Sequence, residues 1–189
     1  ISMVKRTAEE VFIPLTVGGG IKSIDNIQDL LKAGADKVSI NSAAINNPNI
    51  IKASSKYFGS QCIVVAVDVK KNGSNWEVYS HGGTKKTGIE AISWLKKVEE
   101  LGAGEILLTS MDRDGTKLGF DLEILSKANK VLKIPVIASG GVGSIEHFYE
   151  GVAFGGADAL LAASVFHFNE FSIMDVKNYL KEKKIEVRI

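Results

Sequence analysis

The chain has 189 residues, 45% of them hydrophobic and 24% charged, with a formal net charge of +1. That is enough for one packed domain, perhaps part of a larger one, and too apolar for a disordered chain. The near-neutral charge argues against a nucleic-acid partner, the lack of a long apolar run argues against a membrane span, and a single cysteine, Cys62, excludes an internal disulfide framework and fits a reducing cytoplasm.

In chain order, residues 2–11 are expected to be the tail of a helix and 13–17 a short strand that runs into Gly18-Gly19-Gly20. Apolar residues at helical spacing from Ile24 to Leu31 end at Gly34, a natural C-cap. Lys37–Ile40 reads as a strand, and Pro48 as the start of a helix. Residues 62–68 form an apolar run, rich in β-branched types, that stops at Asp68 and reads as a strand buried on both faces with Cys62 inside it. Asn72-Gly73 before Trp76–Tyr79 predicts a hairpin, with Lys70-Lys71 and Lys85-Lys86 as solvated loop charges. Then follow a helix over 88–101, a strand over 105–109, a polar loop over 110–119, a helix over 121–131, a strand over 135–138, a helix over 144–154, a strand over 159–162 and a helix over 173–182. Such alternation implies parallel strands with right-handed crossovers, in about six units.

An internal repeat narrows the architecture. Pro14 with Gly19-Gly20-Ile21 and Ser23 recurs as Pro135 with Gly140-Gly141-Val142 and Ser144, at an offset of 121. Gly34-Ala35-Asp36 recurs as Gly156-Ala157-Asp158, and Asn41-Ser42-Ala43 corresponds to Ala163-Ser164-Val165, at an offset of 122. Two half-barrels of that length make up roughly the 250 residues of a (β/α)8 barrel. The fold class expected is therefore α/β of the (β/α)8 TIM-barrel family, here a single domain over 1–189 with two N-terminal units missing. Such an open barrel exposes strand edges.

Two glycine sites follow from the repeat: Gly19-Gly20 with Asn41-Ser42, and Gly140-Gly141 with Ala163-Ser164. Glycine lets backbone N–H groups approach an anion, and hydroxyls of Ser139 and Ser164 can add donors. Two such sites predict a substrate with a phosphate at each end; tight helix–strand packing is the competing explanation. Gly115 in the polar loop can assist, while Asp112 and Arg113 serve equally well as turn and cap residues. Asp68, at the catalytic end of a strand, is the candidate acid/base group; a hydrogen-bonded structural acid is the alternative. His81, His147 and His167 have no metal-ligand spacing, so no metal is expected, and no dinucleotide or Walker motif calls for a cofactor.

Thr16-Val-Gly-Gly-Gly-Ile21, Gly34 through Ala44, Val65-Ala-Val-Asp68, Gly102 through Ser110, Asp112-Arg-Asp-Gly-Thr116 and Ala138-Ser-Gly-Gly141 together resemble the cyclase subunits of imidazole glycerol phosphate synthase, of histidine biosynthesis. The resemblance runs over essentially the whole chain. It implies a reaction of ammonia with a doubly phosphorylated ribulosyl-formimino-aminoimidazole carboxamide ribotide, giving imidazole glycerol phosphate and aminoimidazole carboxamide ribotide. It implies two acid/base aspartates, one matching Asp68 and the other on a first strand absent here. It places Gly20, Asn41, Ser42, Thr109, Asp114, Gly115, Ser139, Gly140, Gly141, Ala163 and Ser164 around the bisphosphorylated substrate. It also implies a glutaminase subunit on the opposite barrel face, sending ammonia through the core past Lys37 and Glu105, with Asp36 as a partner contact. For those two residues a surface ion pair is the plainer reading. The sister aldose–ketose isomerase of the pathway, which shares the half-barrel repeat, and an inactive fragment that binds bisphosphate or partner are the alternatives.

Overall fold

A computed structural model of the chain describes residues 1–188. Six parallel strands lie in the order β1 (Thr16–Gly18), β2 (Lys37–Ile40), β3 (Ile63–Asn72), β6 (Glu105–Ser110), β7 (Val136–Ser139) and β8 (Ala159–Leu161). An antiparallel extension, β4 (Asn75–Ser80) and β5 (Lys85–Glu90), branches from β3. The helices are α1 (Ser2–Glu10), α2 (Ile24–Lys32), α3 (Ser42–Asn46), α4 (Asn49–Phe58), α5 (Ala91–Glu100), α6 (Leu122–Val131), α7 (Glu146–Ala153), α8 (Ser164–His167) and α9 (Ile173–Glu182). This is an incomplete (β/α)8 barrel. No pairing joins β1 to β8 among the described residues.

The strands alternate as a helix-covered sheet requires. Val38, Ile40, Val65, Val67, Ile106, Leu108, Val136 and Ala138 are buried beneath the helices. The intervening Lys37, Ser39, Ala66, Asp68, Leu107, Thr109, Ile137 and Ser139 are half-buried, because their face of the sheet is the interior of a barrel left open between its edges. The edges themselves are exposed at Thr16, Gly18, Ala159 and Leu161, as an open barrel implies. Around β8 the core closes on Phe148, whose ring meets Phe120, Phe166 and Phe171 at centroid distances of 5.7–6.4 Å, within the range favourable for aromatic pairs.

The repeat extends to register. Thr16 pairs with Lys37 and Gly18 with Ser39; their counterparts Ile137 and Ser139 pair with Ala159 and Leu161. Asp36 accepts from the Leu15 backbone N–H at 2.8 Å, and Asp158 accepts from Val136 N–H at 2.9 Å. Each aspartate thus fastens the start of the preceding strand in its half.

Five sequence expectations need correction. Cys62 is not inside the strand: it ends a 3-10 turn (Ser60–Cys62) and is half-buried. Asp68 does not end β3, which continues to Asn72 because β4 pairs with its outer half. Lys70-Lys71 and Lys85-Lys86 lie in strands rather than loops, and Gly88 lies inside β5 instead of opening α5. Strand β1 begins at Thr16, three residues after Ile13.

Candidate active site

Asp68, Thr109, Ser139 and Leu161 form one lateral row across β3, β6, β7 and β8, on the interior face near the C-terminal strand ends. Chemistry in barrels sits at that end. Asp68 Oδ2 accepts from Asn41 Nδ2 at 2.9 Å. Burial raises the Asp68 pKa above its ordinary 3.8; the Asn41 hydrogen bond opposes this, and the charge of Asp114 adds to it. Asn41 Oδ1 is buried without a hydrogen-bond partner among the described residues, so it offers an acceptor at the same spot.

A cavity of about 720 Å³ joins Asp68 to the first glycine site: Gly19, Gly20, Asn41 and Ser42 line it, with Lys22 and His81 at its border. Gly19 and Gly20 have φ of +95° and +71°, a left-handed backbone that glycine adopts without steric cost. A second cavity of about 330 Å³ is lined by Asp114, Gly115, Ser139, Gly140, Gly141, Ala163 and Ser164. The second-site glycines are also required sterically. A Cβ on Gly141 would lie 2.2 Å from the Gly119 carbonyl, which belongs to the polar loop after β6. Gly119 N–H donates to the Gly141 carbonyl at 2.7 Å, so two loops form one cradle. Asn41 and Ala163, the residues before α3 and α8, share unusual dihedrals of φ −129°, ψ −86° and φ −113°, ψ −70°.

The hairpin extension is pinned beside this face. Lys71 N–H donates to Asp112 at 2.7 Å, and Trp76 Nε1 and Ser110 Oγ both donate to Asp121 Oδ2 at 3.0 Å. Asp112 therefore ties the end of β3, where the hairpin begins, to the polar loop, a contact distinct from the turn and cap roles open to it from sequence. At the opposite strand ends Lys37 and Glu105 form an ion pair, both partly buried, reaching across the start of β3. Asp36 stands next to them. Two contributors have no signature in sequence. His147 Nδ1 accepts from Gly143 and Ser144 N–H at 3.1 and 3.2 Å, holding the turn that follows Gly141. His81 borders the first cavity from the β4–β5 turn. No cluster of three or more metal-ligating side chains occurs among the described residues, and no helix there is long and apolar enough to cross a membrane.

A half-open (β/α) barrel with one repeat-related, glycine-lined cavity in each half, and a carboxylate beside them at the C-terminal strand ends, defines a class: two-fold barrel proteins of the (β/α)8 type. A family model described as "Histidine biosynthesis protein" matches residues 1–172. Over 191 aligned residues the chain is 58% identical to "Imidazole glycerol phosphate synthase subunit HisF" of Clostridium botulinum (strain Okra / Type B1), covering 100% of this chain and 76% of that relative. The chain belongs to the histidine biosynthesis protein family.

Proposed function

We propose that this chain performs the cyclase half of imidazole glycerol phosphate synthase. Ammonia and the doubly phosphorylated ribulosyl substrate yield imidazole glycerol phosphate and aminoimidazole carboxamide ribotide. The observation that carries the reading is the placement of Asp68 in one row with Thr109 and Ser139, between two repeat-related glycine cradles. One phosphate binds at Gly20, Asn41 and Ser42; the other binds at Asp114, Gly115, Gly140, Gly141, Ala163 and Ser164. Fixing both ends orients the reacting centre over Asp68. A carboxyl with a raised pKa can hand over a proton and take one back near neutral pH. No cofactor enters this chemistry, and its setting is the cytoplasm.

A glutaminase subunit supplies the ammonia by docking at the N-terminal strand ends. Phe12 and Ile13, before β1, and Tyr57, before β3, are 95%, 71% and 68% exposed at that end of the strands, apolar surface suited to a partner. Asp36 lies on this face, and the Lys37–Glu105 pair stands where ammonia would enter the interior.

The test is formation of imidazole glycerol phosphate from the ribulosyl substrate and ammonium salt. Asp68→Asn should abolish turnover while the substrate still binds. Turnover of the aminoaldose isomer instead would move the chain to the sister isomerase, and absence of substrate binding would overturn the reading altogether.

A further inference from the structure

We propose that His81 is a phosphate ligand of the first glycine site, its imidazole closing over the phosphate held by Gly20, Asn41 and Ser42. This rests on the bisphosphate reading of the site and adds a residue to it from a different element, the β4–β5 turn.

Three observations converge on His81. Its main-chain N–H donates to Ser42 Oγ at 2.9 Å, so the turn is fastened to the phosphate site itself. With its oxygen accepting that bond, and no acceptor in the protein for its own proton among the described residues, the Ser42 hydroxyl is left to donate to a ligand. Next, one imidazole nitrogen is engaged: Nδ1 lies 2.9 Å from Ser80 Oγ. Nε2 has no partner among the described residues, although the residue borders the cavity that contains Asp68. An imidazole anchored through Nδ1 presents Nε2 in a fixed orientation. Lastly, His81 has φ +55°, a left-handed conformation disfavoured for a side chain bearing Cβ, while Gly82 and Gly83 beside it take φ of +63° and +81° without that cost. Thr84 Oγ1 donates to the His81 carbonyl at 2.8 Å and steadies the turn. A glycine at 81 would fold more easily, so the imidazole is retained there against the backbone's preference.

Isothermal titration of the full chain with the doubly phosphorylated ribulosyl substrate tests this, comparing wild type, His81→Asn and His81→Gly. Losing one charge-assisted contact should weaken binding about tenfold, on the scale that 1.4 kcal/mol is a factor of ten. Both variants should lose it, since His81→Gly keeps the backbone and removes the ring. With 15N-labelled histidine, the His81 Nε2 resonance should shift on substrate addition. Equal affinity in wild type and His81→Asn overturns the proposal. So does weakening confined to His81→Asn, which would assign the effect to backbone conformation. If wild type itself fails to bind, the bisphosphate reading fails and this inference with it, an outcome distinct from the other two.

Discussion

Asp36 and Asp158 make the same contact in the two halves of the repeat, so they can serve as controls for each other. Each accepts one backbone N–H, Leu15 at 2.8 Å and Val136 at 2.9 Å, and each returns its own N–H to that residue's carbonyl at 2.9 and 3.0 Å. Replacing either by alanine removes the side-chain bond and leaves the backbone bond. Bonds to charged acceptors contribute about 1.5–3 kcal/mol, and these exposed carboxylates belong at the lower end, about 1.5 kcal/mol. In a domain of this size that corresponds to a fall in Tm of about 3–6 °C. Asp158→Ala should be the more damaging, because Val136 is buried and water reaches its N–H less readily than that of half-buried Leu15. Thermal unfolding by circular dichroism measures this. Binding to the glutaminase subunit should then separate the two: Asp36→Ala weakens it, and Asp158→Ala, with a comparable loss of stability, does not. Equal loss of partner binding would reduce Asp36 to a structural clamp. Unchanged Tm in both variants would refute the clamp.

Asp68→Asn should be more stable than wild type at pH 7, because the raised Asp68 pKa means that ionisation costs the folded state stability, and asparagine can still accept from Asn41 Nδ2. The difference should be absent below the unfolded carboxyl pKa near 3.8 and grow as pH rises through the folded value; urea midpoints from pH 4 to 8 measure it, and a less stable variant at pH 7 contradicts it. Asp114→Asn removes one cause of the raised pKa, so the deprotonation limb of the activity profile should move to lower pH; a limb that moves upward contradicts this. His147→Ala leaves the Gly143 and Ser144 N–H groups without their acceptor. It should lower stability by about 1–2 kcal/mol and weaken substrate binding, as scanning calorimetry and titration would report; a wild-type melting curve would rule this out.

The barrel class was legible because the repeat carries its own register. An offset of 121 through Ser23 and 122 from Gly34 onward reappears as matching strand pairs and matching aspartate contacts. The outer half of β3 and all of β5 escaped, because Lys70, Lys71, Lys85 and Lys86 are exposed and show none of the alternation that marks a half-buried strand. Helices α3 and α8, at five and four residues, are too short for a helical period to appear. Cys62 looked continuous with the apolar run, yet the chain is still in a 3-10 turn there. The place of Asp68 on the interior face is legible from its apolar approach alone. Its surroundings were not legible in the same way, because Asn41 and Asp114 reach it from 27 and 46 residues away, and His81 and His147 are fastened at the site by hydrogen bonds that use main-chain N–H groups, which no side-chain pattern encodes.

The two cradles pull on the Asp68 proton in opposite directions. Asn41, in the first, hydrogen-bonds the carboxylate and favours its charged form; Asp114, in the second, repels that charge and favours the acid. On the proposed reaction, a substrate with a phosphate in each cradle adds negative potential on both sides and strengthens the hold on the proton, preparing Asp68 to act as an acid. Cyclisation divides the substrate into two products with one phosphate each. Departure of either lifts part of that potential, and Asp68 is again released towards the base. On that reading the paired glycine sites, whose repeat first identifies the fold as two halves of a barrel, would also time the ionisation of the carboxyl between them. The Asp114→Asn profile tests that link, since it changes the field from one cradle and leaves the Asn41 contact in the other intact.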